Sequence, residues 1–396
     1  MKTFHVNEFT HQILFERLIT PSLRFLEVFA QHLSDPQKLA DVLGLMFDIL
    51  STSRGSANAN QNTQLQHLEL TTTLPPSCLD QLVSLRQLRT LHLMGITPEY
   101  IGGVDYIQRL STLPYLRNLS LSIDDNQLFR PVEQDTFPSL EHLIIRGEPS
   151  SLRSLLCALP PNRLKFMAIV DIVLDWATII SGAEEMRTHL HEWCACFRAV
   201  AQQAGTLTKL HIMLNCNTAN VDDAKACALG LPMMSILKPL LELRQLQVVY
   251  LTGFMKMPYS DVDVRDIAVA WPKIECMALP PPSAEVMQPS LMSLRLLSRF
   301  CPRLQNLSIG FDVKTGVDVE SNSELLQQLN ALPVVTNHAL TVLDVYESDL
   351  GKEDVVRLAD QLRDWFPLLR KVDASRSNEV AAELSAALLQ ENSNGC

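Results

Sequence analysis

The sequence lacks the signatures of most common chemistries. GxSxG, GxxxxGK(S/T), HExxH and GxGxxG are all missing, which removes the usual nucleophile elbow, phosphate cradle, zinc-protease helix and dinucleotide turn. No window approaches the ~18 apolar residues that span a bilayer, and the N-terminus has neither an apolar h-region nor a small-residue cleavage site, so no secretory signal is expected. Basic residues are in deficit, 33 against 44 acidic ones for a net charge of -11. That balance disfavours a nucleic-acid or anionic-membrane partner. The nine cysteines stand singly apart from Cys194 and Cys196. They do not form the even framework of a small secreted domain, and reduced thiols in the cytoplasm or nucleus are expected.

What is present is apolar residue in quantity, 47% of the chain, arranged in a repeat. The pattern φ-x-x-φ-x-φ recurs with first positions at Leu23, Leu65, Leu88, Leu116, Leu140, Leu164, Leu207, Leu246, Ile274, Leu304, Leu340 and Leu369. In FCPRLQNLSI (300–309), Leu304, Leu307 and Ile309 alternate at the end with polar Ser308, as on a strand with one buried face. Proline stands two residues before the anchor in six of the twelve copies, at Pro21, Pro114, Pro138, Pro272, Pro302 and Pro367. Chance would place fewer than one there. Proline cannot continue a helix and biases its predecessor toward extended geometry, so it turns the chain from helix into strand.

Amphipathic runs of helical period lie between anchors, among them 152–159, 186–201, 234–243, 291–300, 324–332 and 353–365. Strand, turn, helix and return then repeat as in an α/β leucine-rich-repeat solenoid, with a curved parallel sheet on the concave face and helices on the convex face. The expected organisation is an N-terminal capping helix over 1–22, an irregular array of about 12 repeats over 23–376, and a C-terminal capping helix and tail over 377–396. Insertions are expected at 51–64, 171–205, 215–230 and 252–264.

Few residues suggest chemistry, and no catalytic, cofactor or metal site is expected. His189, His191, Cys194 and Cys196 fall on opposite sides of one helix and cannot close a tetrahedral zinc site. Asp261, Asp263 and Asp266 lack the glycine and distal glutamate of a calcium loop and read as a solvated helix N-terminus. His67, His92, His142 and His211 sit at outward strand positions and read as surface residues.

The outward positions of the early and late repeats are small and polar. In the middle they turn apolar, at Ile144, Phe166, Ala168, Val170, Met213, Val248 and Tyr250. A contiguous apolar stripe on a concave sheet suits a protein partner, unless an inserted segment such as 171–205 covers it.

The entry into several strands, FPSLEHL (137–143), WPKIECM (271–277), CPRLQNL (301–307) and FPLLRKV (366–372), resembles that of fungal F-box-type leucine-rich-repeat proteins of ribonuclease-inhibitor-like architecture. The resemblance implies a substrate-recognition role in a ubiquitin ligase. It implies binding to the ligase adaptor only if an F-box is supplied upstream, since the 22 residues before Leu23 lack the LP-x-E start of that module. The expectation is thus a non-enzymatic protein-interaction scaffold. The alternative is a hydrolase or transferase with a site in the 171–230 region.

Overall fold

The computed structural model describes residues 2–6, 22–30, 36–52, 64–96, 104–123, 129, 136–174, 183–216, 233–252, 258–282, 288–312, 338–345, 355–374 and 378–390. The chain divides into two compact units, Met1–Ile169 and Val170–Cys396.

In the first unit the strands are β1 (Lys2–Val6), β2 (Phe25–Ala30), β3 (His67–Thr73), β4 (Thr90–Ile96), β5 (Asn118–Ile123), β6 (His142–Arg146) and the start of β7 (Phe166–Leu174). They lie side by side in chain order, every pair parallel. Helices α1 (Pro36–Thr52), α2 (Leu79–Val83), α3 (Val104–Leu110) and α4 (Pro149–Ala158) connect them. The second unit repeats the plan with β8 (Lys209–Cys216), β9 (Val248–Thr252), β10 (Cys276–Ala278), β11 (Asn306–Ile309), β12 (Val342–Val345) and β13 (Lys371–Ala374). Its helices are α5 (Ala183–Ala201), α6 (Met233–Leu237), α7 (Asp261–Ala270), α8 (Leu291–Phe300), α9 (Val355–Trp365) and α10 (Asn378–Gln390). Strand alternating with helix along a parallel sheet makes each unit an α/β leucine-rich-repeat solenoid.

All twelve anchors are buried, none more than 6% exposed. The apolar residues that follow each anchor on its strand, such as Leu119 and Leu121 on β5 or Leu307 and Ile309 on β11, are buried with them. Their polar neighbours point the other way, as the alternation requires.

Four of the proline-marked entries share one hydrogen-bonding pattern. Phe137, Trp271, Cys301 and Phe366 are at most 1% exposed and plug the core, while the prolines after them face solvent. The anchor N–H then donates to the plug carbonyl, at 3.2 Å in Leu140→Phe137, 3.1 Å in Ile274→Trp271, 3.1 Å in Leu304→Cys301 and 2.9 Å in Leu369→Phe366. Proline thus occupies the second position of a β-turn, where its fixed φ fits and no N–H is needed. Before Leu340 no proline is present, and the Nδ1 of buried His338 accepts the Leu340 N–H at 3.1 Å instead.

A second signature joins consecutive repeats. One carbonyl accepts two successive N–H groups of the next repeat: Gln66 and His67 donate to Arg24, Arg89 and Thr90 to Gln66, Arg117 and Asn118 to Arg89. The second unit does the same, with Gln305 and Asn306 on Glu275, then Thr341 and Val342 on Gln305.

Several expected boundaries shift. Lys2–Val6 is a strand in register with Leu26–Ala30 rather than part of a capping helix, and residues 8–19 lie outside the described ones. Residues 51–52 end α1, 171–174 extend β7 and 183–201 form α5, so much of the expected 171–205 insertion is the strand and helix of an enlarged repeat. Residues 215–216 complete β8 and 261–264 begin α7. The expected helix over 324–332 and the interiors 53–63 and 217–230 lie outside the described residues.

Candidate functional site

Because each strand pairs with the next in register, the outward side chains of the first unit stand in two rows across the open face of its sheet. One runs Phe25, His67, Thr90, Asn118, His142, Phe166 and the other Glu27, Glu69, His92, Ser120, Ile144, Ala168. Neighbours in a row stand ~4.8 Å apart, close enough for rings and hydrogen bonds to meet.

They do meet. The His67 ring lies 5.7 Å from Phe25 on one side and 5.4 Å from His92 on the other. His142 and Phe166 lie 5.6 Å apart at 34°, and Asn118 Nδ2 donates to Thr90 Oγ1 at 3.0 Å. Between them is a depression of about 220 Å³ with Leu119 in its lining and His92, Asn118, Ser120, His142, Ile144 and Phe166 around it. Desolvation lowers the pKa of His92 below the usual histidine value, a like charge at His67 acts in the same sense, and Glu69 opposes both. The depression offers an apolar wall beside hydrogen-bonding side chains, suited to an apolar side chain flanked by peptide groups.

The expected partner-binding residues fall into two groups, one in each unit. Ile144 and Phe166, both half-buried, line the depression of the first unit. Ala168 is only 4% exposed beside the longer Ile144, its register partner, and contributes almost no contact area. In the second unit Val170, Val248 and Tyr250 are half-buried and Met213 is 48% exposed. His211 packs edge-on against Tyr250 at 4.8 Å, and its pKa is lowered by desolvation and then by Lys209. Burial raises the Tyr250 pKa, and the neighbouring Cys276 adds to it. Further along, Asn306 Nδ2 approaches Cys276 Sγ at 3.3 Å and Ser308 Oγ donates to Asp344 at 3.2 Å.

The histidines correct the surface reading. His67, His92 and His211 are half-buried and packed against rings, and only His142 is exposed. His67 and His92 stand in different rows of adjacent strands and meet diagonally, a contact that reading each repeat alone does not show. Among the described residues the group whose ligand atoms could hold a metal ion is Glu27, His67 and Glu69, within 4.8 Å of one another. On α5, Cys196 is buried, His191 exposed, and Cys194 Sγ contacts the Ser235 carbonyl at 3.0 Å.

The aspartates at 261–266 are also only partly as expected. Asp261 and Asp263 occupy the first turn of α7, and Ser260 and Asp263 form a reciprocal capping box. Asp261, however, is 9% exposed rather than solvated. It accepts Ser290 N–H at 2.9 Å, Ser290 Oγ–H at 2.8 Å and Ser293 Oγ–H at 2.5 Å, joining α7 to the start of α8.

No family model and no curated protein matches the chain. Among solved structures one similar chain comes from the crystal structure of a TLR13–ssRNA13 complex, 11% identical with a TM-score of 0.24. The match covers 82% of this chain and 57% of that one, so this chain spans little more than half its length. At so low a TM-score the likeness adds nothing to the site; the leucine-rich-repeat architecture stands on the register, the buried anchors and the shared carbonyls.

Proposed function

We propose that the chain is a non-enzymatic protein-interaction scaffold that holds a partner protein against the open faces of its sheets. The observation that carries this reading is the depression of about 220 Å³, with Ile144 and Phe166 beside His92, Asn118 and Ser120 on a rigid parallel ladder. Aromatic and aliphatic groups next to polar ones make an anchor pocket for a partner side chain. Tyr250, Val248 and exposed Met213 give the second unit a comparable surface. The net charge of -11 favours a protein over a nucleic acid as the partner. The buried Cys-or-aromatic plugs followed by proline support the finer proposal, that the repeats recognise the substrate of an F-box-type ubiquitin ligase in the cytoplasm or nucleus, with adaptor binding only if an F-box is supplied upstream. No helix among the described residues is long and apolar enough to cross a membrane.

Proximity labelling with the full chain and with Phe166→Ala plus Tyr250→Ala tests both levels. The scaffold reading expects a labelled set that the double variant loses, although truncating two half-buried rings costs about 1–2 kcal/mol each and leaves the protein folded. An unchanged set would overturn it. Recovery of a ligase adaptor and cullin supports the finer proposal. Their absence beside turnover of a small molecule would sink it and favour an enzyme.

A further inference from the structure

Glu27, Glu69 and His92 are consecutive positions of one row, on β2, β3 and β4, and His67 lies two residues before Glu69 on β3. All four are half-buried on the open face of the first unit. Two carboxylates at directly facing positions of adjacent strands repel, and the cost rises as water is excluded. A cation between them reverses the sign of that interaction. His67 is held for the role, with its ring between Phe25 at 5.7 Å and His92 at 5.4 Å and its Nε2 4.0 Å from Glu69 Oε2.

We propose that Glu27, His67 and Glu69 form a binding site for a divalent first-row transition-metal cation, Zn²⁺ being the best fit, with the fourth position open. The donor chemistry sets the class. Mixed imidazole and carboxylate ligands suit zinc and its neighbours, whereas calcium and magnesium take six or more oxygens. The geometry needs little adjustment. Ligand atoms around a tetrahedral zinc with bonds of about 2.1 Å stand ~3.4 Å apart. The three present here lie within 4.8 Å, so half-exposed side-chain ends must close by about 1.4 Å at most. Strands fixed in register by backbone hydrogen bonds hold the Cα positions while the ends rotate. The His92 ring beside His67, 5.4 Å away, also lines the depression, and the fourth position on the ion is open to water or to an oxygen or sulfur from an occupant. The site does not depend on whether the depression docks a partner.

The test is Co²⁺ titration of the full chain after chelator treatment and desalting. The expected result is visible absorption of tetrahedral strength, an end point at one equivalent, and loss of the bands on adding Zn²⁺ but not Mg²⁺ or Ca²⁺. His67→Gln and Glu69→Gln should each weaken binding at least tenfold, with melting temperatures close to the parent's to show that the fold persists. Should His67→Gln fail to fold, the Glu27→Gln plus Glu69→Gln variant carries the test, since it keeps every ring in place. Absence of an end point, or one unchanged in that double variant, would overturn the site and assign any uptake to cysteines or histidines elsewhere.

Discussion

Replacing Asp261 with alanine should destabilise the second unit by about 3–4 kcal/mol. The carboxylate sits at the N-terminus of α7, where the helix dipole favours it, and accepts from Ser290 N–H, Ser290 Oγ and Ser293 Oγ. Hydrogen bonds to a charged group are worth about 1.5–3 kcal/mol each when lost. The three are not equal here. Ser290 is half-buried and can turn to water, and its Oγ keeps the Met292 N–H of the α8 cap at 3.1 Å. Ser293 is 0% exposed, so its hydroxyl would lose its acceptor where water cannot replace it. One full loss of ~2–3 kcal/mol and a partial one of ~1 give the sum. For a unit of this size each kcal/mol moves the melting temperature by about 2–4 °C, so thermal unfolding followed by circular dichroism should show a drop near 10 °C. Asp261→Asn, which keeps one acceptor oxygen in place, should lose about half as much. A double-mutant cycle with Ser293→Ala should return a coupling of at least ~1 kcal/mol. If Asp261→Ala melts within about 2 °C of the parent, the carboxylate is ornamental and the reasoning fails.

Two other changes probe the fold. Gly147 has φ +151° after β6, and a Cβ there would lie 2.5 Å from the Ile123 carbonyl oxygen at the end of β5; Gly147→Ala should therefore lower the melting temperature by several degrees, and an unaltered transition would contradict the close approach. His338 is buried against Phe366 at 4.8 Å, and desolvation lowers its pKa from 6.5, with the Cys301 and Leu297 backbone opposing. Its folded pKa lies below its unfolded one, so the unfolded state takes the proton first. Stability is whole above pH 6.5 and declines as the pH falls toward the folded value. The parent should lose more melting temperature between pH 7 and 5 than His338→Gln, and parallel curves would remove His338 as the cause.

The repeat positions were legible because two independent signals converged: apolar spacing named the anchors, and proline placed their entry turns. β1 escaped because KTFHV alternates in polarity but has no anchor before it, and a short alternating run cannot be told from helix by period alone. Helix α7 was half visible, its acids marking the start, but the burial of Asp261 depends on Ser290 and Ser293, 29 and 32 residues on. The site followed the same division. Ile144 and Phe166 could be named from their phase in the repeat. The burial of Ala168 could not be seen, because the exposure of so small an outward side chain depends on its neighbours on other strands. The histidine and glutamate cluster was hidden by reading each repeat alone, for its members are adjacent only across strands.

The doubly used carbonyls between consecutive repeats within each unit have an evolutionary consequence. Arg24, Gln66, Arg89 and their counterparts fasten one repeat to the next through main-chain atoms, whatever side chain each carries. Register is thereby independent of the two outward rows, and a residue there can be exchanged without displacing the strands beside it. The open face can accumulate new recognition chemistry one position at a time, while the scaffold that presents it stays still.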